Sequence, residues 1–493
     1  MIAGARAIRD AVAQPRGWRV AMVALMVAAL IVRLHYIGDP LIDSDEQFYL
    51  LVGDRMWHGA VPYMDIWDRK PVGLFLLYAA IRLLGGDGIV QYQLVATAFA
   101  GATAVVIAIL ARRIAPPWTA IVVGLLYLLS LNLSGGPGGQ APVFYNLPVA
   151  VAAWIAVRTL DGAPERIVRR GAVAMLLVGI ALQIKYSVLV EGIYFGLAFS
   201  WMAWRAKLPM PRLAVAMTLW VVAALAPTAL AFAWYAAIGH AGDFVFANFT
   251  SIGDRGQYRH ELGELGKIGP RMLPFLLPIA LSLTRRPWRG ATSGAAWLLL
   301  AGWGLTATLS FAGFGSYFNH YALPLLVPFA VLAAVGFAVD RAGPILAVVA
   351  VTALVAVNTK ESTEYGSYFG DAAYAARVTA AIDANLHGGT LYVYFGDPIY
   401  YQLTQSPLPS RWAFPYHLSL TREQPALGVD AMAELKRVLD SRPAVILDRT
   451  LYDDNRDPQA DALLFAHLHR DYRLAGTFPL REDGTRVWAL RRD

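Results

Sequence analysis

The sequence predicts a polytopic α-helical membrane protein with about eleven transmembrane helices, followed by a water-soluble α/β domain. Of its 493 residues, 57% are hydrophobic and only 16% are charged, a balance unlike that of soluble proteins. Apolar runs of about 16 to 25 residues, long enough to cross a bilayer, recur between residues 20 and 357. No comparable run follows, so we expect residues 1–358 to form the transmembrane domain and 359–493 a separate domain.

Eleven apolar runs account for the predicted spans. They lie at about 20–37, 88–111, 118–134, 143–158, 171–190, 193–204, 211–238, 271–284, 291–314, 321–339 and 343–357. A twelfth run, at 71–86, has only about 14 apolar residues, which is short of the ~20 that a perpendicular helix needs. We expect it to form a juxtamembrane or re-entrant helix on the outer side.

Basic residues set the predicted orientation, because short cytoplasmic loops carry an excess of Lys and Arg. They cluster at Arg6, Arg9, Arg16 and Arg19; Arg112 and Arg113; Arg158, Arg166, Arg169 and Arg170; Arg205 and Lys207; and Arg285, Arg286 and Arg289. Eleven spans put all these clusters inside, whereas counting 71–86 as a crossing would put the later ones opposite the N-terminus. We therefore predict an inner-membrane protein with a cytoplasmic N-terminus, a first external loop at about 38–87 and an extracytoplasmic C-terminal domain.

The C-terminal part alternates helix-like stretches with β-rich ones, which predicts a small α/β domain. The helical stretches are 371–386, 430–440 and 459–469, and the strands begin near 390 (TLYVYF), 444 (AVILD) and 486 (RVWAL). The chain has no cysteine, which excludes disulfides and thiol chemistry but leaves the compartment open. The net charge of +7 comes mostly from links between apolar runs, which argues against nucleic acid as a partner.

The first external loop holds most of the charged residues near the predicted spans. Asp43, Asp45 and Glu46 follow the first apolar run, and Lys70 lies near the end of the same loop. If 44–57 is helical, Asp45 and the residue four positions later share one face, which would direct the carboxylate into a polar cleft. A solvated acidic loop with interfacial aromatic residues is the alternative.

An external carboxylate and an external lysine suit transfer of a group from a lipid-linked phosphate donor. Nucleotide sugars are absent outside the cytoplasm, so a transferase there needs a donor delivered within the membrane. A lysine or arginine stabilises the departing phosphate. A carboxylate takes the proton of the attacking hydroxyl or amine.

Three motifs resemble the polyprenyl-phosphate-dependent glycosyltransferases, which include the protein O-mannosyltransferases and lipid A aminoarabinose transferases. DEQFY (45–49) is similar to their Asp-Glu-x-x-Tyr signature, WDRKPVGLFLLYAA (67–80) to their Lys-Pro-Pro segment, and SYFNHYALPLLVPFA (316–330) to a later span. The resemblance covers roughly 20–360. It implies a GT-C fold, an inverting mechanism and a donor that enters sideways from the bilayer.

The same resemblance implies roles for individual residues. Asp45 takes the position of the catalytic base, Glu46 that of a neighbour that orients Asp45 or binds the sugar, and Lys70 that of the lysine beside the donor phosphate. Two departures stand out. Val72 replaces the second proline, and the external segment GGQAPVFYN (138–146) lacks an acid that relatives often carry, which puts a second carboxylate from that loop in doubt.

Further candidates follow from position and residue type. Additional donor-phosphate contacts are predicted at Arg69, Lys185, Arg255 and Arg259, although snorkelling of Lys185 and a solvated loop around Arg255 and Arg259 are the plain alternatives. Substrate-cleft residues are predicted at Tyr49, Tyr63, His58, His320 and Tyr321. No cofactor is required, because Lys70 neutralises phosphate unaided; a divalent cation held by Asp43, Asp45, Glu46 and His58 is the alternative.

The sequence thus predicts a membrane glycosyltransferase that moves a sugar from a polyprenyl-phosphate donor to a lipid, glycan or protein acceptor on the outer face of the bilayer. A glycan ligase or polymerase that uses lipid-linked donors would share this topology. A transporter or flippase for a lipid-linked or anionic solute is the main rival from another class, but such proteins place charges near the midplane and show internal repeats. A non-catalytic scaffold would give no reason for DEQFY and Lys70 to occur together.

Overall fold

The computed structural model of the protein describes residues 11–160, 166–256, 261–289, 291–313, 317–450, 453 and 455–491. The chain divides into two compact units. Unit 1 comprises Met1–His35, Leu94–Ala231 and Glu261–Glu361. Unit 2 comprises Tyr36–Gln93, Phe232–His260 and Ser362–Asp493, so three segments that are distant in sequence pack together.

Thirteen helices of ten residues or more precede residue 370 in the described part of the chain. They are α1 (Pro15–Arg33), α2 (Ser44–Trp57), α3 (Val72–Arg82), α4 (Ile89–Ala111), α5 (Pro117–Leu133), α6 (Ala141–Leu160), α7 (Ile167–Leu182), α8 (Leu189–Arg205), α9 (Met210–Ala237), α10 (Glu261–Ser282), α11 (Ala291–Gly313), α12 (Leu323–Phe337) and α13 (Ala342–Phe369). Each of the eleven predicted apolar runs falls on one of these helices, and α2 and α3 form the rest.

Eight helices in the described ranges are long and apolar enough to cross a membrane. They include α1, α4, α6, α8, α9, α11, α12 and α13. Their length matches the bilayer's hydrocarbon thickness, and a helix satisfies its own backbone hydrogen bonds in lipid. The chain is therefore a membrane protein, while the number of crossings and their orientation stay predictions.

Three helix ends differ clearly from the predicted runs. The helix α10 begins at Glu261, well before the run that starts at 271. The run at 171–190 extends past the end of α7 at Leu182, and Lys185 lies in the short connection to α8. The run at 343–357 stops well before the end of α13 at Phe369. Hydrophobicity marks where a segment meets lipid, but a helix continues into water wherever its backbone bonds remain satisfied.

A buried arginine ties together the described part of unit 1 near the glycine-rich segment 134–142. Arg33, at the end of α1, donates hydrogen bonds to Thr97 Oγ1 at 3.1 Å and to the carbonyls of Gly136 at 2.6 Å and Gly138 at 2.5 Å. Its side chain is 1% exposed. A charge in an apolar environment is tolerated when polar groups surround it, so this loop has a structural role in unit 1.

The C-terminal part forms the predicted α/β domain. Its longer helices are α14 (Ala372–Leu386), α15 (Ala431–Asp440) and α16 (Pro458–Asp471), and its strands are β1 (Leu391–Phe395), β2 (Val445–Arg449), β3 (Tyr472–Pro479) and β4 (Gly484–Leu490). The described sheet has the order β1-β2-β4-β3, with β1 parallel to β2 and the other pairs antiparallel. Sequence analysis missed β3, an edge strand of which half the residues are exposed and which lacks an apolar run.

Unit 2 begins with two short helices that pack on each other. The predicted helix at 44–57 and the predicted helix within 71–86 are both present, as α2 and α3. The helices approach closely at Gly53, where an added Cβ would lie 2.7 Å from the backbone nitrogen of Ala79 and 2.8 Å from the carbonyl carbon of Tyr78. Only a residue without a side chain fits there, because backbone atoms cannot rotate away.

We therefore expect Gly53→Ala to push α3 away from α2 and to destabilise unit 2 by roughly 1–3 kcal/mol. Thermal unfolding of the purified protein in detergent measures the effect. Gly253→Ala is the matched control, because a Cβ at Gly253 meets no atom within 4 Å. An equal midpoint for both variants would contradict the close contact.

Candidate active site

The predicted base and the predicted phosphate ligand lie side by side in unit 2. Lys70 Nζ is 3.5 Å from Asp45 Oδ1 and 3.6 Å from Asp68 Oδ2. The side chains of Lys70 and Asp45 are each 21% exposed, whereas that of Asp68 is 7% exposed. The Asp45–Lys70 pair is thus partly exposed to solvent. Asp68 supplies a second, buried carboxylate beside the Lys70 ammonium.

Local sequence fixes both partners. Asp43 caps α2 by accepting a hydrogen bond from the backbone N–H of Asp45 at 2.9 Å, which places Asp45 in the first turn. Pro71 directly precedes α3, and a residue before proline is held in an extended conformation. Lys70 therefore cannot join the helix, and its side chain projects from the link between α2 and α3.

Tyr63 holds the backbone of Lys70. Its hydroxyl donates to the Lys70 carbonyl at 2.8 Å, and its own backbone has the left-handed φ of 73°, which is costly for a residue with a side chain. The ring is fully buried against Tyr235 and Phe244. The structure therefore places the predicted cleft residue Tyr63 in the core, where its hydroxyl holds the backbone carbonyl of Lys70.

Tyr49 lies beneath Lys70. The ammonium is 5.2 Å from the centre of its ring, within the range of a cation–π contact. The side chain is buried, and among the described residues its hydroxyl has no hydrogen-bond partner. Burial, and then the charges of Asp45 and Asp68, raise the pKa of Tyr49 well above its ordinary value, so the hydroxyl stays protonated.

A second ionic cluster adjoins the first through the chain itself. Arg69, next to Lys70, forms an ion pair with Glu423 of the C-terminal part. Arg255 contacts the same carboxylate, with Nε at 2.9 Å and Nη2 at 2.5 Å from Oε1, and Arg422 Nε lies 3.3 Å from that oxygen. We call these four residues the Glu423 cluster. It unites two predicted phosphate contacts, Arg69 and Arg255.

The Glu423 carboxylate is charged although it is buried. Burial alone would raise the pKa of Glu423, but Arg69, Arg255 and Arg422 outweigh it and hold the pKa well below its ordinary value. The backbone helps to place two of these arginines, since the N–H of Gly256 donates to the Arg422 carbonyl at 2.9 Å.

Trp67 and His417 pack beside this cluster. Their ring centres are 4.9 Å apart, and the Arg69 guanidinium lies 5.4 Å from the Trp67 ring. Burial, and then the positive charges of Arg69, Lys70 and Arg255, lower the pKa of His417, so the imidazole is neutral.

Several predicted residues lie elsewhere. Glu46 points into the packing of unit 2, where its Oε1 accepts a hydrogen bond from the Tyr92 hydroxyl at 3.2 Å. It is fully buried, so its carboxylate lies in the interior of unit 2. His58 follows the other end of α2, roughly 20 Å along the helix from Asp45.

Three predicted residues form a group within unit 1. Lys185 Nζ lies 4.0 Å from the centre of the Tyr321 ring, and His320 packs edge-on against the same ring at 4.7 Å. The group therefore holds together the short connection after α7 and the segment before α12. Arg259 lies outside the described residues.

Within the described residues, no group of three or more His, Asp or Glu side chains has the spacing of a metal site. The set Asp43, Asp45, Glu46 and His58, considered from the sequence, is thus not gathered, because Glu46 turns inward and His58 lies at the far end of α2.

The sequence matches no protein-family model and no curated protein. Among solved structures, that of ArnT from Cupriavidus metallidurans bound to undecaprenyl phosphate matches with a TM-score of 0.62 and 15% identity, over 96% of this chain and 98% of that chain. The structure of the same ArnT in the apo state has a TM-score of 0.64 at the same identity and coverage. The chain has the fold of ArnT. The fold class predicted from the sequence is thereby confirmed.

Within this fold, the sequence analysis assigned no role to Asp68, Arg422 or Glu423. Asp68 lies two positions before Lys70, and a search for carboxylates around the lysine would have selected it. Glu423 lies in the stretch TREQPAL, which carries no motif and is more than 350 residues from Arg69 in the chain. Only tertiary contacts reveal the Glu423 cluster.

The charge state of Glu423 gives a pH signature. Because its folded-state pKa lies below the ordinary 4.5, the carboxylate stabilises the fold fully above about pH 4.5, and this contribution is lost as pH falls through the folded value. Glu423→Gln should cost roughly 2 kcal/mol near neutral pH, and the difference from wild type should shrink below about pH 4.5. Unfolding midpoints between pH 8 and pH 3 measure it. A difference unchanged down to pH 3 would contradict the assigned charge.

Proposed function

We propose that this protein is a glycosyltransferase that transfers a sugar from a polyprenyl-phosphate donor to a lipid, glycan or protein acceptor. The observation that carries the proposal is the partly exposed pair of Asp45 and Lys70, a base and a cation 3.5 Å apart, in a chain with the fold of ArnT. That a structure of ArnT contains undecaprenyl phosphate supports the class of donor. The low identity leaves the sugar and the acceptor open.

In the proposed reaction, Asp45 accepts the proton of the acceptor hydroxyl or amine as its oxygen or nitrogen bonds to the anomeric carbon. The bond between that carbon and the phosphate oxygen breaks in the same displacement, which inverts the anomeric configuration. The electron pair leaves with the polyprenyl phosphate, whose negative charge increases by one. General-base assistance of this kind contributes about 10²- to 10⁴-fold to the rate.

Lys70 is the proposed cation for the leaving phosphate. Its contacts to Asp45 and Asp68, at 3.5 and 3.6 Å, are longer than the ~2.7–2.9 Å of a strong charge-assisted hydrogen bond. The ammonium therefore makes no strong charge-assisted hydrogen bond to either of these two carboxylates. Arg69 and Arg255 are proposed to share this task from the Glu423 cluster, and Arg259 is a further candidate in the same segment of sequence.

Three cations of the chain would then neutralise the phosphate, so we propose that no cofactor is required. Lys70, Arg69 and Arg255 would supply the positive charge that a divalent cation provides in other phosphate sites. We further propose that the active site faces the outer side of the inner membrane, where lipid-linked donors replace nucleotide sugars.

Asp45→Asn should lower the rate of transfer about 10²-fold or more while donor binding persists, because the amide keeps the shape of the carboxylate but cannot take a proton. Transfer is measured in membranes supplied with lipid-linked sugar. Asp65→Asn is the matched control, since Asp65 is an exposed carboxylate of the same loop whose Oδ2 accepts a hydrogen bond from the Val61 N–H. Near-normal turnover by Asp45→Asn would remove this residue from the mechanism. A transporter without a carboxylate role there would keep its flux in the same variant.

Lys70→Ala should lower transfer and weaken donor binding together, because the phosphate loses an ammonium in both the ground state and the transition state. Lys70→Arg should restore part of both, since the charge is kept while its geometry changes. Binding of undecaprenyl phosphate and the rate of transfer are measured for both variants. Equal donor affinity in Lys70→Ala and wild type would exclude the lysine as a phosphate ligand.

A further inference from the structure

We propose that Glu423, in the C-terminal domain, is a positioning residue that holds Arg69 and Arg255 in place for the phosphate of the lipid donor. The inference rests on the proposed function, and it gives the C-terminal domain a part in donor binding.

The first argument is the way the guanidinium groups are held. Arg69, Arg255 and Arg422 come from three segments that are distant in sequence, and they share the single carboxylate of Glu423. Its side chain is only 5% exposed. Three like charges repel one another at this distance, so they stay together only because the carboxylate lies between them. Removal of its charge would let them separate.

The second argument is that Arg69 has donors left over. Glu423 occupies its Nη1, whereas Nε and Nη2 are buried and have no hydrogen-bond partner among the described residues. Buried donors without a partner are costly, more so when they are charged, and each calls for an explanation. An anion that binds beside Arg69 would satisfy them. Phosphate oxygens are the natural ligand, because the planar guanidinium binds them in a two-point geometry.

The third argument is that the chain joins this cluster to the proposed catalytic pair. Arg69 and Lys70 are consecutive, and their side chains diverge to Glu423 and to Asp45. The Trp67 backbone N–H also donates to the Arg411 carbonyl of the C-terminal domain at 2.8 Å. A shift of Arg69 would thus be felt at Lys70, because the same short segment carries both.

An argument from net charge alone predicts that Glu423→Gln strengthens phosphate binding, whereas the proposal predicts that it weakens binding. The direction of the change in affinity therefore tests the proposal. If Glu423 only reduced the positive potential, Glu423→Gln would attract phosphate more strongly. If it positions the arginines, Glu423→Gln weakens binding although the net positive charge increases. Glu423→Asp keeps the charge and moves the carboxylate by about one carbon–carbon bond, so positioning also predicts weaker binding for that variant.

The experiment measures binding of undecaprenyl phosphate to the full chain in lipid nanodiscs. We expect Glu423→Gln to raise the dissociation constant roughly 10- to 100-fold, the range seen when support of a ligand-binding group is lost, and Glu423→Asp to raise it less. Glu434→Gln is the matched control. Glu434 pairs with Arg437 in the same domain, and the side chain of that arginine is 55% exposed. The affinity of the Glu434→Gln variant for undecaprenyl phosphate should therefore stay within about twofold of wild type.

A second comparison separates positioning from general damage to the fold. If Glu423 acts through Arg69, then Glu423→Gln should add less to the loss of binding in an Arg69→Gln background than in wild type. Additive losses would overturn the proposal, as would unchanged or tighter binding in both Glu423 variants. If Glu423→Gln does not fold, the Glu423→Asp variant decides by the same criterion. Failure of the wild-type protein to bind undecaprenyl phosphate would refute the proposed donor, and this inference with it.

Discussion

The segment Trp67–Lys70 depends on one constraint, that charges withdrawn from water must be paired. Lys70 faces Asp45 and Asp68, and Arg69 faces Glu423, so two neighbouring cations are neutralised by carboxylates from three parts of the chain. Largely buried charges without partners would be costly. The ion pairs therefore fix how α2, the link before α3 and the C-terminal domain pack within unit 2. The same pairs produce the arrangement of base and cations on which the proposed chemistry rests.

This arrangement also gives a reason for the composition of unit 2. The first loop, the segment before residue 261 and the C-terminal domain lie far apart in sequence, yet each supplies a residue to the Glu423 cluster. Support comes from buried tyrosines, since Tyr63 contacts the backbone of Lys70 and Tyr49 contacts its ammonium. A site built on packed elements holds its charged groups more firmly than one built on a free loop.

The helices and the motifs near the first span were predictable because their signals are local. Apolar runs identified the helices, and the cap at Asp43 and the proline after Lys70 are short-range features that fix α2 and the link before α3. The pairing of Asp45 with Lys70 was anticipated only through resemblance to a family. The inward turn of Glu46 and the burial of Tyr63 were not, because the burial of an individual side chain depends on neighbours that are distant in the chain.

The sequence by itself determined a helical membrane protein with a small α/β domain, since hydrophobic length and strand alternation are properties of consecutive residues. It also singled out Asp45 and Lys70. Only the tertiary structure decided that Asp68 lies behind the lysine and that Glu423 gathers three arginines. The contact between Arg69 and Glu423 joins residues 354 positions apart. No local pattern encodes it, because the energy of an ion pair depends on distance and burial in space.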